Sequence, residues 1–121
     1  MMFNGGVAAM RELAGALRIN DGTFAVSLTE YVHRDFSLID VTAPGATKGR
    51  ALAWRAAQLG IRREDVMAVG DNFNDLEMLE FAGCPVVMAN AVDGLKQRGW
   101  AMTADNEHAG LAEAIRRFAL H

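Results

Sequence analysis

Val66-Met67-Ala68-Val69-Gly70-Asp71-Asn72-Phe73-Asn74-Asp75 decides the reading of this chain. Four apolar residues run into Gly-Asp, and further polar side chains and a second Asp follow. The apolar run is too short for an ordinary helix and holds two Val, so it predicts a buried strand. Gly70 lets the backbone turn where the strand stops. Asp71 and Asp75 then lie at or just past the carboxyl end of a strand, where open α/β sheets bind ligands. Carboxylates and carboxamides this close together suit a hard cation such as Mg²⁺, which takes oxygen ligands. They equally suit a tight turn, with Asp71 and Asn72 shaping it and Asp75 in the first turn of a helix. Both readings stay open at this point. A calcium loop fits poorly, because Phe73 and Ala82 stand where ligands are needed.

Outward from this stretch the pattern is regular. Thr47 is a good helix cap, Lys48 opens the helix, and Gly60 ends it. Leu52, Leu59 and the alanines between them give that helix an apolar side, with Trp54 adding bulk. Beyond the motif, Leu76, Leu79 and Phe81 mark a helix closed by Gly83, and Val86-Val87-Met88 reads as a buried strand. Asn90 reads as the cap of a further helix, with Asp93 as an approximate capping-box partner. Trp100 to Thr103 is a short last strand, and Leu111, Ala114, Ile115 and Phe118 form the stripe of a closing helix. Residues 46–120 are therefore a βα series, which implies a parallel sheet with helices packed on it.

The first third differs. Val7, Met10, Ala14 and Leu17 recur at helical spacing over residues 7–18, and Asn20-Asp21-Gly22 makes a turn. Phe24 to Thr29 and Phe36 to Val41 read as strands of a hairpin around His33-Arg34-Asp35. Pro44-Gly45 marks the boundary between this helix–strand–strand region and the βα series.

Composition narrows the function. The chain has 121 residues, 51% hydrophobic and 22% charged, an ordinary globular balance. A net charge of −3 and a pI near 5.5 give no basic patch for nucleic acid or a membrane surface. Cys84 is the only cysteine, so no intrachain disulfide forms, and beside Pro85 it reads as a structural thiol. The three histidines show no metal-ligand spacing. Residues 1–6 lack the basic region and apolar run of a signal peptide, and no stretch is long enough to span a bilayer, so a cytoplasmic protein is the expectation.

Ala43-Pro44-Gly45-Ala46-Thr47-Lys48-Gly49, followed by Gly70-Asp71-Asn72-Phe73-Asn74-Asp75-Leu76-Glu77-Met78-Leu79, resembles the haloacid dehalogenase (HAD) superfamily, and within it the Cof-type sugar-phosphate phosphatases. Val87-Met88-Ala89-Asn90-Ala91 and Asp105-Asn106-Glu107-His108-Ala109-Gly110-Leu111 resemble later segments of that group. The likeness is close over about residues 40–120 and loose over 5–40. It implies an α/β fold: a partial HAD-like Rossmannoid parallel sheet with helices on both faces (44–121), preceded by the C-terminal remnant of an α+β cap domain (1–43). It also implies a Mg²⁺-dependent phosphatase of small phosphorylated metabolites such as sugar phosphates. The family reacts through a covalent aspartyl phosphate, a carboxylate nucleophile splitting hydrolysis into two displacements.

Carried over residue by residue, the resemblance makes Lys48 the phosphate-stabilising lysine and Asp71 a direct metal ligand. Asn74 would contact the substrate phosphate or its leaving group. Asp75 would hold the metal through water or orient Lys48. Plainer roles stand beside these: Lys48 as a solvated first-turn lysine, Asn74 as an N-cap, Asp75 as a helix-start carboxylate. Asn90 reads first as a cap and second as a residue lining the site.

One departure stands out. The family's nucleophile lies in an Asp-x-Asp-x-Thr motif, and no Asp-x-Asp occurs here. Ile19-Asn20-Asp21-Gly22-Thr23 keeps Asp-Gly-Thr but has Ile at the nucleophile position and follows a helical pattern. It reads as a turn. The chain is therefore expected to show little turnover alone, and the alternative is a non-catalytic HAD-fold fragment with a structural or assembly role. In the family a first core strand lies beside the strand ending at Asp71; without it an open edge would favour self-association. A receiver domain fits poorly, since its lysine follows the phosphoacceptor strand, whereas Lys48 precedes Asp71.

Overall fold

A computed structural model describes residues 1–120. The chain divides into two compact units, Met1–Ala46 and Thr47–His121.

In the first unit, strands β1 (Met2–Gly5), β2 (Ala25–Tyr31) and β3 (Phe36–Thr42) form an antiparallel sheet in the order β1-β3-β2. Helix α1 (Val7–Leu17) packs on it and buries Val7 and Ala14, and Ile39 of β3 is fully buried. The β2–β3 hairpin follows the sequence reading. Strand β1 does not: Asn4-Gly5-Gly6 carries turn chemistry, and its register with Asp40 to Ser37 of β3 overrides local preference. Gly6 offers α1 no side-chain cap, so Asp35, held at φ 43°, accepts from the Val7 N–H at 2.9 Å instead. Asn20 to Thr23 form the expected turn, with Asn20 Oδ1 accepting from the Gly22 N–H at 2.8 Å.

The second unit is built around a parallel sheet of β4 (Met67–Gly70), β5 (Cys84–Met88) and β6 (Ala101–Thr103), in that order. Its helices are α2 (Lys48–Leu59), α3 (Leu76–Phe81), α4 (Asp93–Lys96) and α5 (Gly110–Ala114), the last continuing as a wider π-turn through Ala119. Thr47 Oγ1 accepts from the Arg50 N–H at 3.1 Å and Gly60 closes α2 at φ 66°, as the sequence predicts. Ala56, Ala68, Leu79, Val87 and Leu95 form one apolar core. Trp54 is not part of it: it is 62% exposed, so the bulk expected to pack under α2 faces solvent. Gly83 does not end α3, which stops at Phe81; a Cβ there would lie 2.5 Å from Glu64 Cα, so close packing fixes its identity.

Pro85 sits in the central strand at a tolerated place. Cys84 N–H bonds to Val66 C=O, so alternation turns the nitrogen of Pro85 toward the β6 side. Pairing with β6 begins only at Val86, so no ladder bond is lost there.

The two outer strands of this sheet differ. Met67 and Val69 of β4 turn their main-chain groups to the free side, since Val66 takes the bond from β5. On β6, Arg117 Nη1 donates to Met102 C=O at 3.2 Å and Glu113 Oε2 accepts from Ala104 N–H at 3.3 Å, while Arg117 and Glu113 pair with each other at 2.9 Å. An ion pair from the last helix thus covers one edge, while among the described residues no hydrogen bond reaches the main chain on the outer side of β4. Among the described residues no helix is long and apolar enough to cross a membrane.

Candidate functional site

The site forms where β4 ends. Gly70 makes this turn possible for a reason other than a positive φ. A Cβ at Gly70 would lie 2.6 Å from Asp75 Cβ and 3.0 Å from its Oδ2, so only a hydrogen lets the Asp75 side chain fold back over the strand end. Folded back, Asp75 Oδ2 accepts from the Asp71 N–H at 3.0 Å and from the Asn72 N–H at 3.3 Å. Asn72 Oδ1 in turn accepts from the Phe73 N–H at 2.8 Å and caps the turn. The cap is therefore Asn72, and the N-cap role considered for Asn74 is corrected. Asn74 sits half-buried in the same turn.

Lys48 arrives from the first residue of α2. Its Nζ lies 2.5 Å from Asp75 Oδ1, joining residues 27 apart in sequence. The close approach of α2 depends on Gly49, where a Cβ would fall 2.5 Å from Glu77 Cγ and 2.7 Å from the Glu77 carbonyl carbon in α3. The lysine side chain stays 54% exposed, whereas that of Asp75 is 6% exposed. A buried carboxylate therefore aims a cation that still faces outward.

Asn90 is the other correction. Helix α4 begins at Asp93 with no side-chain cap, because the Asn90 side chain is turned elsewhere. Its Nδ2 donates to Asp71 Oδ2 at 3.3 Å, and its Oδ1 accepts from the Asn106 N–H at 3.0 Å. The local spacing to Asp93 imitates a capping box, while the actual partners are 19 and 16 residues away and leave no local signal.

The two carboxyls are tuned in opposite directions. Burial alone would raise Asp75, but the Lys48 ammonium and the two main-chain N–H donors outweigh it and hold the group below the usual carboxylate range. Asp71 is raised, by burial first and then by the neighbouring Asp75 charge; Asn90 and Lys48 only partly offset this. Two carboxyls, Asp71 and Asp75, stand against the single ammonium of Lys48 here, an acidic balance suited to a cation. Asp75 already serves Lys48 and two N–H groups, which leaves Asp71 as the more available oxygen ligand. Among the described residues no group of three His, Cys, Asp or Glu could cage a metal by itself. Asp71 and its neighbour Asp75 are a donor set that Mg²⁺ would accept, since that ion usually keeps waters and takes one or two carboxylates together with substrate phosphate.

Residues 14–115 match the haloacid dehalogenase-like hydrolase family. The chain belongs to that family. Among proteins similar to this HAD-like chain is the 5-amino-6-(5-phospho-D-ribitylamino)uracil phosphatase YitU of Bacillus subtilis, 41% identical over 81 residues, 67% of this chain and 30% of that protein. A phosphoglycolate phosphatase of Methanothermobacter thermautotrophicus is 44% identical over 80 residues, 66% of this chain and 36% of its own length. A crystal structure of a haloacid dehalogenase-like hydrolase from Bacteroides thetaiotaomicron matches 96% of this HAD-like chain and 42% of that one, at 32% identity and a TM-score of 0.76. The chain spans about a third of the length of these curated relatives.

Proposed function

We propose that this chain carries the phosphate- and cation-binding side of a HAD-type phosphatase acting on small phosphorylated metabolites, sugar phosphates among them. The observation that carries the reading is the 2.5 Å approach of Lys48 Nζ to Asp75 Oδ1 beside Asp71. In this reading Asp75 orients Lys48, and the exposed ammonium takes up charge on the transferring phosphoryl group. Asp71 would hold Mg²⁺, with Asp75 contributing through water. Bound there, the cation would offset repulsion between a carboxylate nucleophile and the phosphate. Asn74 would contact the phosphate or leaving group from the same turn. The aspartyl nucleophile of the family would come from residues outside this sequence, which holds no Asp-x-Asp. In that picture residues 1–43 belong to a cap domain.

The test has two arms. The purified chain with Mg²⁺ and p-nitrophenyl phosphate is expected to release no nitrophenol above buffer. A chimera in which residues 44–121 replace the matching C-terminal segment of the Bacillus subtilis relative is expected to turn over phosphate monoesters with Mg²⁺. A folded but inactive chimera would sink the proposal.

A second reading, an assembly role for the chain itself, is favoured by one feature: the open outer side of β4 beside the covered β6. Self-association through β4 is expected, with a concentration-dependent rise in sedimentation coefficient from micromolar to millimolar. A clean monomer throughout that range would exclude it. Replacing Val69 by proline would remove one outward N–H and should weaken the association.

A further inference from the structure

Asn90 follows the central strand of the three-stranded sheet, so its loop lies between those that follow β4 and β6. It touches both. One end of its carboxamide donates to the Asp71 carboxylate, and the other accepts from the Asn106 main chain. The two partners demand opposite ends of the amide, so its orientation is fixed by chemistry: a carboxylate can only accept and an N–H can only donate. The main chain reinforces this arrangement. Val92 N–H donates to Asp71 C=O at 3.0 Å, and the ring of Phe73 lies where a Cβ on Gly94 would be 2.8 Å from it. The 71–75 turn and the 90–94 turn are thus clamped at two further points.

The loop on the far side of Asn90 is itself well defined. Asp105 Oδ1 accepts from the N–H groups of Glu107 and His108, at 3.1 and 2.9 Å, and lies 2.6 Å from His108 Nδ1. Gly110 follows at a point where a Cβ would collide with Ala104 O at 1.9 Å. This is a preformed polar turn whose single side-chain tether to the Asp71 side is Asn90, among the described residues.

We propose that Asn90 is a positioning residue that fixes the Asp71 carboxylate and transmits changes there to the polar turn at residues 105–108. It engages Oδ2 of Asp71, and no donor among the described residues reaches Oδ1, which is left the less engaged oxygen. Resting on the reading that Asp71 takes a cation, the tether makes the coupling reciprocal: a cation drawing on Asp71 orders the turn, and a ligand ordering the turn tightens the cation.

Amide exchange at Asn106, resolved by ¹⁵N NMR on the full chain without metal, tests this, with the Leu79 amide as the reference for global opening. Asp71→Ala and Asn90→Asp are each expected to speed Asn106 exchange on the order of fivefold relative to Leu79, the effect of losing one hydrogen bond. Combining Asn90→Asp with Asp71→Asn reverses donor and acceptor and should return the rate to within about twofold of wild type. That rescue separates a tether from a merely structural side chain. If Asp71→Ala leaves Asn106 unchanged, or the double variant exchanges no slower than Asn90→Asp alone, the proposal is overturned. A separate Mg²⁺ titration that moves no Asp71 resonance would sink the metal reading, and the metal-free variants would still decide the coupling.

Discussion

Replacing Lys48 by methionine in the active chimera is expected to lower kcat/KM by roughly 10³-fold and to lower the urea midpoint only modestly. The two halves of this expectation come from the same geometry. The ammonium lies on a half-exposed side chain, where water screens part of its pairing, but its partner Asp75 is nearly buried, so losing the lysine leaves a carboxylate held only by two main-chain N–H groups. In a closed site the same charge would face the transferring phosphoryl group, and losing one such preorganised donor removes a large part of the stabilisation. Lys48→Arg should recover only part of the rate, since a planar fork cannot reproduce a point charge at the same spot. A chimera that keeps its rate without Lys48 would show that the lysine is a solvated helix-start residue. The measurement is initial rate against substrate concentration, with chemical denaturation run in parallel.

Asp75→Ala and Asp71→Asn are expected to move stability in opposite directions. Asp75 is nearly buried and satisfies two main-chain N–H groups that have no other partner in the turn. Removing it leaves those donors stranded, and a loss of about 3 kcal/mol is expected from two charge-assisted bonds. Asp71, whose ionised form is disfavoured by burial and by Asp75, should be neutral to slightly stabilising as Asn. The pH dependence follows from the same signs. Asp75 is held below its ordinary value in the folded chain, so its contribution is full above the unfolded pKa, about 3.9, and fades as pH falls through the lower folded value. The gap between wild type and Asp75→Ala should therefore close only in acid. Asp71 is raised, so its ionisation opposes folding above its folded pKa, and protonation relieves this. Urea denaturation of the three proteins between neutral pH and pH 3 checks both signs; equal destabilisation by the two substitutions would contradict the account.

The legible parts of this fold are those encoded locally. Thr47, Lys48 and Gly60 bracket α2 with cap chemistry that acts within four residues, and the βα alternation after it is carried by short apolar runs. The pairing of Lys48 with Asp75 is not local, and only the family resemblance placed them together. Three features had no signal to read. Strand β1 exists because β3 offers it a partner, against the preference of Asn4-Gly5. Gly49 and Gly70 matter through the side chain they lack, which a sequence shows only as permission to turn. Asn90 carries a spacing that mimics a cap, and its real partners lie across the loop ends of neighbouring strands. For β1, Gly49 and Asn90 the deciding contact is distant along the chain, and at Gly70 it is with Asp75, five residues on.

The unequal borders of the parallel sheet limit how far it can extend. Strand β6 is masked by Arg117 and Glu113, so among the described residues of this sheet only β4 has backbone groups free to share. Two molecules meeting through that border by a twofold axis would merge into a six-stranded sheet whose ends are both masked. Growth of this sheet would then stop at a pair, and the ladder would have no way to propagate into a fibre.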